Sequence, residues 1–134
     1  MELRYKKEIE VTKEHIDELN HVNNVVYVKW IQDISREHWC DVLEPGLSRT
    51  YIWVVVNHFV EYKRPSLLGD TLIAETYIQN LEGSTSNRAV EFRNAKTNKI
   101  VVQAVTKWCL LDSDTKRPLR IPQEIMDLLP EDSK

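Results

Sequence analysis

The sequence predicts an α+β fold in which one long helix covers an antiparallel sheet of about five strands. In one segment of about 20 residues, apolar residues recur at spacings of three and four, whereas elsewhere they alternate with polar ones. The strand-like segments follow each other through short turns, which leave no room for the crossovers of a parallel sheet. The 134 residues suffice for a core without disulfides. We therefore expect a single domain over residues 1–134.

Residues 3–12 begin the chain as a first strand. In this segment Ile9 and Val11 alternate with Glu8 and Glu10, as expected for a strand with one buried face. Residues 15–23 are polar and mixed, and they predict a loop.

The long helix is predicted over residues 25–43. Asn23 or Asn24 is a suitable N-cap, because a short amide side chain accepts a hydrogen bond from the first free backbone N–H groups. Pro45-Gly46 closes the segment. The periodic positions that define its buried face are Tyr27, Trp30, Ile31, Ile34 and His38.

The rest of the chain divides into four strand-like segments and a short terminal helix. The strands are predicted over residues 51–62, 71–81, 84–95 and 100–111, and the helix over residues 122–129. Turn signals separate them, including Gly69-Asp70 and Glu82-Gly83. Since one helix covers only one face of such a sheet, we expect a homodimer or a dimer of dimers.

Composition excludes several classes of function and location. A net charge of -3 gives no electrostatic reason to expect nucleic acid or an anionic membrane as partner. No apolar run approaches the roughly 18 residues of a membrane span, and the first ten residues lack a signal-peptide core. Cys40 and Cys109 are too few for a disulfide framework. A reducing, cytoplasmic location is the expectation.

Asp17 is the first candidate for chemistry, because it precedes the start of the long helix. Free N–H groups at a helix start form a positive end that polarises a carbonyl oxygen and stabilises an oxyanion. A carboxylate beside that carbonyl could act as general base for water or as nucleophile. His21 and the Asn23 and Asn24 amides add hydrogen-bonding groups. An aspartate before a helix is, however, more often an ordinary loop residue.

Residues 17–30 read Asp-Glu-Leu-Asn-His-Val-Asn-Asn-Val-Val-Tyr-Val-Lys-Trp. This segment resembles the signature of the 4-hydroxybenzoyl-CoA thioesterase-like hotdog family, and from its histidine onward it is also similar to acyl-ACP thioesterases. Residues 61–65 with Gly69-Asp70, and residues 117–122, resemble two further landmarks of these families. The resemblance covers nearly the whole chain. It implies a hotdog fold, with a long central helix wrapped by the sheet, and hydrolysis of acyl-CoA or acyl-ACP thioesters.

The resemblance also implies roles for residues. Asp17 takes the catalytic carboxylate position, and the backbone N–H of Asn24 takes the position that polarises the thioester. His21 is either a catalytic group or a hydrogen-bonding group that fixes the loop. Asn20 replaces the usual glycine, but asparagine tolerates a left-handed backbone. Leu19 stands where acyl-ACP thioesterases carry an asparagine, which favours a simpler mechanism of aspartate plus helix.

Further residues are candidates for binding the substrate. Lys63 and Arg64, with neighbouring Pro65, could meet the phosphates of coenzyme A or phosphopantetheine, or could form a solvated strand end. Tyr27 is core or acyl-pocket lining, and Asn23 is first of all a structural cap.

No cofactor and no metal are expected. His38, Cys40 and Asp41 fit neither one helical face nor a zinc motif. A hydroxyacyl dehydratase on the same fold would, by family resemblance, show a His-Phe-Pro stretch, which this sequence lacks. A non-catalytic module that binds acyl thioesters is a third interpretation, and Asp17 is the feature against it.

Overall fold

The computed structural model describes residues 3–129. The described chain contains five strands and one long helix, which agrees with the predicted α+β architecture. All strand pairs are antiparallel, in the order β1-β3-β4-β5-β2. The elements are β1 (Arg4–Glu10), α1 (Asn24–Glu37), β2 (Ile52–Tyr62), β3 (Thr71–Glu82), β4 (Thr85–Asn94), β5 (Ile100–Leu111) and α2 (Gln123–Met126).

Helix α1 begins at Asn24 because Asn23 caps it. The Oδ1 atom of Asn23 accepts a hydrogen bond from the backbone N–H of Val25 at 2.9 Å, and the backbone of Asn23 is extended. Of the two asparagines predicted as possible caps, the structure therefore selects the first.

The end of the long helix differs from the prediction. The α-helical hydrogen bonding stops at Glu37, and the chain continues as a π-helical turn (His38–Leu43) and a 3₁₀ turn (Glu44–Gly46). The predicted extent to residue 43 is right, but the last turns are wider than α-helical, and His38 and Trp39 within them are both buried. The terminal helix is also shorter than predicted, since α2 spans only Gln123–Met126.

The core lies between α1 and the face of the sheet that it covers. The periodic helix positions 27, 30, 31, 34 and 38 are all buried, as predicted. Phe92 of β4 lies at the centre, with ring centroids 5.2 Å from Tyr27 and 6.1 Å from Trp30. A second buried cluster joins Trp39 and Leu110 to the chain end through Ile125. The first cluster fixes the start of the helix on the sheet, and the second fixes its end.

The two edge strands differ in chemistry. Strand β1 reads Arg-Tyr-Lys-Lys-Glu-Ile-Glu, whereas β2 is uncharged from Ile52 to Val56 and exposes Val54, Val56 and Phe59. Charged edges resist pairing with another chain, and a long apolar edge invites it. Among residues 3–129, no helix is long and apolar enough to cross a membrane.

Candidate active site

A tight loop leads into α1. Ile16 and Val22 form an antiparallel bridge, and inside it the N–H of Asp17 donates to the carbonyl of His21 at 3.0 Å. The N–H of Asn20 donates back to the carbonyl of Asp17 at 3.0 Å. Asn20 has a φ of +63°, the left-handed conformation that asparagine tolerates better than most residues. The loop therefore has a left-handed residue at this position, which agrees with the tolerance expected of asparagine.

The carboxylate of Asp17 is held by this loop. Its Oδ1 atom accepts a hydrogen bond from the N–H of Leu19 at 2.9 Å, and the residue is half-buried. This Asx turn fixes the side chain beside the segment that enters the helix. Within residues 3–129 no hydrogen bond engages the Oδ2 atom.

The start of α1 is anchored from both sides. The N–H of Val22 donates to the carbonyl of Ser66, and that of Asn23 donates to the carbonyl of His15, both at 2.9 Å. The N–H of exposed Asn24, the first helical residue, meets no acceptor in the described part of the chain. It is a free donor at the positive end of the helix.

A cleft of about 210 Å³ opens at this helix start. Tyr27 is buried beneath it and donates its hydroxyl to Ser66 Oγ at 2.7 Å. Tyr62 donates to the carbonyl of Asn24 at 3.3 Å, and its ring centroid lies 6.0 Å from that of Tyr27. Burial raises the pKa of both phenols, so both remain hydrogen-bond donors at neutral pH.

The rim of the cleft is cationic. Lys63, Arg64 and Pro65 are exposed there, immediately after the end of β2. Arg64 donates from Nη1 to the carbonyl of Ile100 at 2.8 Å, which holds its guanidinium against the sheet. The described residues that line the cleft include no carboxylate. The rim therefore attracts anions such as phosphate groups.

The structure brings most of the sequence-predicted site residues into one place. The cleft is lined by six of them: His21, Asn24, Tyr27, Lys63, Arg64 and Pro65. Asp17 and Asn23 lie outside its lining, Asp17 in the adjoining turn and Asn23 as the helix cap. His21 lines the cleft and its carbonyl closes the loop, so both interpretations of this residue stay open.

Three residues of this region were missed by the sequence reasoning. Val22 and Tyr62 line the cleft, and Ser66 supports Tyr27 from below. Tyr62 and Ser66 flank the predicted Lys63-Arg64-Pro65 segment, and this position in the sequence could have identified them as candidates. Their pairing with the helix start depends on contacts 38 and 39 residues apart in sequence.

This arrangement suits a thioester substrate. A carbonyl oxygen within reach of the Asn24 N–H is polarised by a free donor and by the helix dipole, and a tetrahedral oxyanion is stabilised more strongly than the ground state. A long helix on a five-stranded antiparallel sheet, with such a cleft at the helix start, defines a hotdog-fold thioesterase.

Comparison with known proteins gives the family. Residues 2–129 match the acyl-ACP thioesterase N-terminal domain. The chain therefore belongs to the acyl-ACP thioesterase family, and it is a thioester hydrolase.

The curated relatives differ in length. The long-chain acyl-CoA thioesterase FadM of Escherichia coli is 26% identical over 124 residues, which are 91% of this chain and 94% of FadM. The chloroplastic acyl-[acyl-carrier-protein] hydrolase FATB3 of Cuphea viscosissima is also 26% identical, over 70% of this chain but only 25% of that protein.

Solved structures share the fold. The probable thioesterase YbaW of Escherichia coli has a TM-score of 0.79 at 26% identity and covers 91% of this chain and 93% of its own. A thioesterase predicted in Bacillus stearothermophilus reaches 0.81 at 20% identity, over 94% and 93% of the two chains. The 12:0-ACP thioesterase of Umbellularia californica reaches 0.80 at 20% identity, over 93% of this chain and 49% of its own.

Proposed function

We propose that this protein hydrolyses acyl thioesters of coenzyme A or acyl carrier protein at the cleft where α1 begins. The observation that carries the proposal is the free N–H of Asn24 at the positive end of α1, opening onto a cleft with Lys63 and Arg64 at its rim. The thioester carbonyl would bind at the N–H, and the phosphates of the carrier would bind at the two cations.

Asp17 supplies the carboxylate in this proposal. As general base, it takes a proton from water while the water oxygen forms the new C–O bond. As nucleophile, it attacks the carbonyl itself and the resulting anhydride is hydrolysed. In both routes the C–S bond breaks and the proton ends on the thiol. The free Oδ2 atom supports either role, since Oδ1 is already held by the Leu19 N–H.

The thioester of coenzyme A is the first substrate to test. FadM, named as a long-chain acyl-CoA thioesterase, matches this chain over 94% of its own length. The carrier-protein hydrolase FATB3 matches over only 25%. A cytoplasmic location and the absence of nucleic-acid or membrane partners remain predictions from composition.

The assembly belongs to the same proposal. The apolar edge of β2 is open in the described structure and exposes Val54, Val56 and Phe59. Pairing of this edge with a second copy would bury them and remove an edge that is otherwise prone to aggregation. We expect a homodimer, or a dimer of dimers, built on that contact.

Replacing Asp17 with asparagine tests the chemistry with little change in structure. Asparagine keeps an oxygen for the Leu19 N–H, so the Asx turn should survive, but it can neither take a proton nor attack as a carboxylate. We expect kcat for acyl-CoA hydrolysis to fall by roughly 100- to 10,000-fold, in a thiol-release assay over a panel of chain lengths.

Asp33→Asn, on the solvent side of α1 in an ion pair with Lys29, is the matched control and should keep wild-type turnover. Wild-type rates in Asp17→Asn would refute the assigned role of Asp17. Loss of water from a hydroxyacyl thioester without thiol release would instead indicate a dehydratase. Thermal protection by acyl-CoA with no hydrolysis of any chain would indicate a binding module.

A further inference from the structure

A second cavity lies between the end of the long helix and the sheet. Its volume is about 140 Å³, and none of the described residues lines both it and the cleft. Ser35 lies at its helix side, and the rise from Asn24 to Ser35 along the helix is about 16 Å. The cavity is therefore separate from the proposed position of the thioester carbonyl.

Arg88 gives this cavity its charge. The residue is only 4% exposed, on β4, and its Nη1 atom donates to His38 Nδ1 at 2.8 Å and to Thr76 Oγ1 at 3.2 Å. Both partners are neutral. Thr76 carries no charge, and burial together with the charge of Arg88 lowers the pKa of His38 to about 4. Among residues 3–129, no carboxylate forms an ion pair with Arg88. A buried guanidinium without a counterion carries a large desolvation cost.

The carboxylates near the cavity do not supply that counterion. Glu44 accepts a hydrogen bond from Trp39 Nε1 at 3.1 Å and another from the N–H of Tyr51 at 3.2 Å. Glu124 accepts from the Tyr51 hydroxyl. At the exposed side of the helix, Arg36 adds a second positive charge to the cavity lining. The described lining therefore contains two cations and no acidic side chain.

The remaining walls are largely aromatic. The indole rings of Trp39, Trp53 and Trp108 line the cavity, together with Tyr51 and Ile78. An engineered cavity of about 150 Å³ in another protein holds a benzene molecule. The space here therefore suits an apolar body of about six carbons, with one end at a buried guanidinium.

We propose that this cavity binds a small organic carboxylate, with the carboxylate on the N–H groups of Arg88 and the carbon body against the tryptophans. Two sources share this chemistry: a free carboxylic acid, or the far end of an acyl chain that carries a terminal carboxylate. The second source rests on the proposed hydrolase function, and the first does not.

Tryptophan fluorescence tests the proposal directly, because three tryptophans line the cavity. Wild-type protein is titrated with hexanoate and, separately, with hexanamide, which has the same size without the charge. We expect hexanoate to bind at least about tenfold more tightly, the difference expected for one charge-assisted hydrogen bond. Equal affinities, or no binding of hexanoate, would overturn the proposal.

Arg88→Met removes the charge at similar volume and should abolish the preference for hexanoate. Arg93→Met, on the same strand but with its guanidinium near Glu91 and the Asn98 carbonyl, should keep it. Thermal melting establishes that both variants fold. If Arg88→Met does not fold, the comparison of hexanoate with hexanamide on the wild-type protein still tests whether the cavity prefers a carboxylate.

Two thioesters then identify the source of the carboxylate. Hexadecanoyl-CoA and its analogue with a terminal carboxylate are compared in the thiol-release assay. A roughly tenfold higher kcat/KM for the analogue, which disappears in Arg88→Met, would show that the cavity binds the carboxylate at the end of an acyl chain. If hexanoate binds but the two thioesters are hydrolysed equally well, the cavity binds a free carboxylic acid. The titration requires no hydrolysis, so it tests the carboxylate site even if the proposed hydrolase function fails.

Discussion

His38 shows how a single buried side chain is set by its neighbours. Arginine can only donate, so the 2.8 Å contact with Arg88 makes His38 Nδ1 an acceptor and places the ring proton on Nε2. The ring is 1% exposed and stacks on Tyr5 at a centroid distance of 5.5 Å. Burial first, and then the charge of Arg88, lower its pKa from 6.5 to about 4.

This lowered pKa predicts a pH-dependent stability. Between pH 6.5 and about 4 the unfolded chain binds a proton at His38 that the folded chain does not, so the free energy of unfolding falls as the pH falls. The loss from this group reaches about 3 kcal/mol and stops below the folded pKa. Urea unfolding at several pH values should show a shallower decline for His38→Asn than for wild type.

His21→Asn is the control at the residue scale. His21 lines the open cleft and lies outside the buried contact between His38 and Arg88, so the decline that His38 causes should remain in this variant. Parallel curves for wild type and His38→Asn would contradict the prediction.

The loop between the Ile16 and Val22 bridge residues is the element on which the candidate chemistry depends. It turns back within a few residues through the left-handed Asn20, and its hydrogen bonds fix the backbone of Asp17. A residue with a Cβ and no compensating side-chain amide is strained at that φ, whereas glycine is not.

Two substitutions at position 20 test the loop. Asn20→Ala should lower the free energy of unfolding by about 1 kcal/mol and reduce kcat, because a relaxed loop displaces Asp17. Asn20→Gly should have the same free energy of unfolding and the same kcat as the wild type, within experimental error. Chemical denaturation and the thiol-release assay measure the two quantities.

Asn98 provides the matched control for this element. It has a φ of +61° in the hairpin between β4 and β5, outside the residues that line the cleft. Asn98→Ala should lower the free energy of unfolding by about as much as Asn20→Ala does, and it should leave kcat unchanged. An equal loss of kcat in both alanine variants would mean that the loop before α1 has no special role.

At the scale of the whole molecule, the sheet ends in two unlike edges. The β1 edge carries Lys6 and Glu8 in exposed positions, while β2 presents Phe59 at 66% exposure with Val54 and Val56 nearby. The long helix packs against one face of this sheet. The second strand is thus the edge that we propose for pairing between copies.

Phe59→Lys should weaken that pairing. A charge at the centre of an apolar edge disfavours association, so the mass measured by analytical ultracentrifugation should fall to that of the monomer. Lys6→Glu on β1 is the control and should keep the wild-type mass. A monomeric wild type, or a Phe59→Lys variant of unchanged mass, would contradict the assembly.

The sequence by itself determined the elements of this protein, their order and the direction of the buried helix face. Those features follow from local periodicity and capping, as at Tyr27, Ile31 and Asn23, which depend on neighbours a few residues away. The segments found at the cleft were also visible as motifs. The π-helical turn at His38–Leu43 was not, because the apolar spacing of a segment does not distinguish a π-helical turn from an α-helical one.

Only the tertiary structure brought His21 and Asn24 together with Tyr62 and Arg64. It also placed Arg88 against His38 across 50 residues of sequence. Such contacts depend on strand register and on where the helix crosses the sheet, which no local pattern specifies. A lone arginine in an alternating strand normally marks a solvent-facing position. Its burial on the helix side, with neutral partners, was decided by the fold.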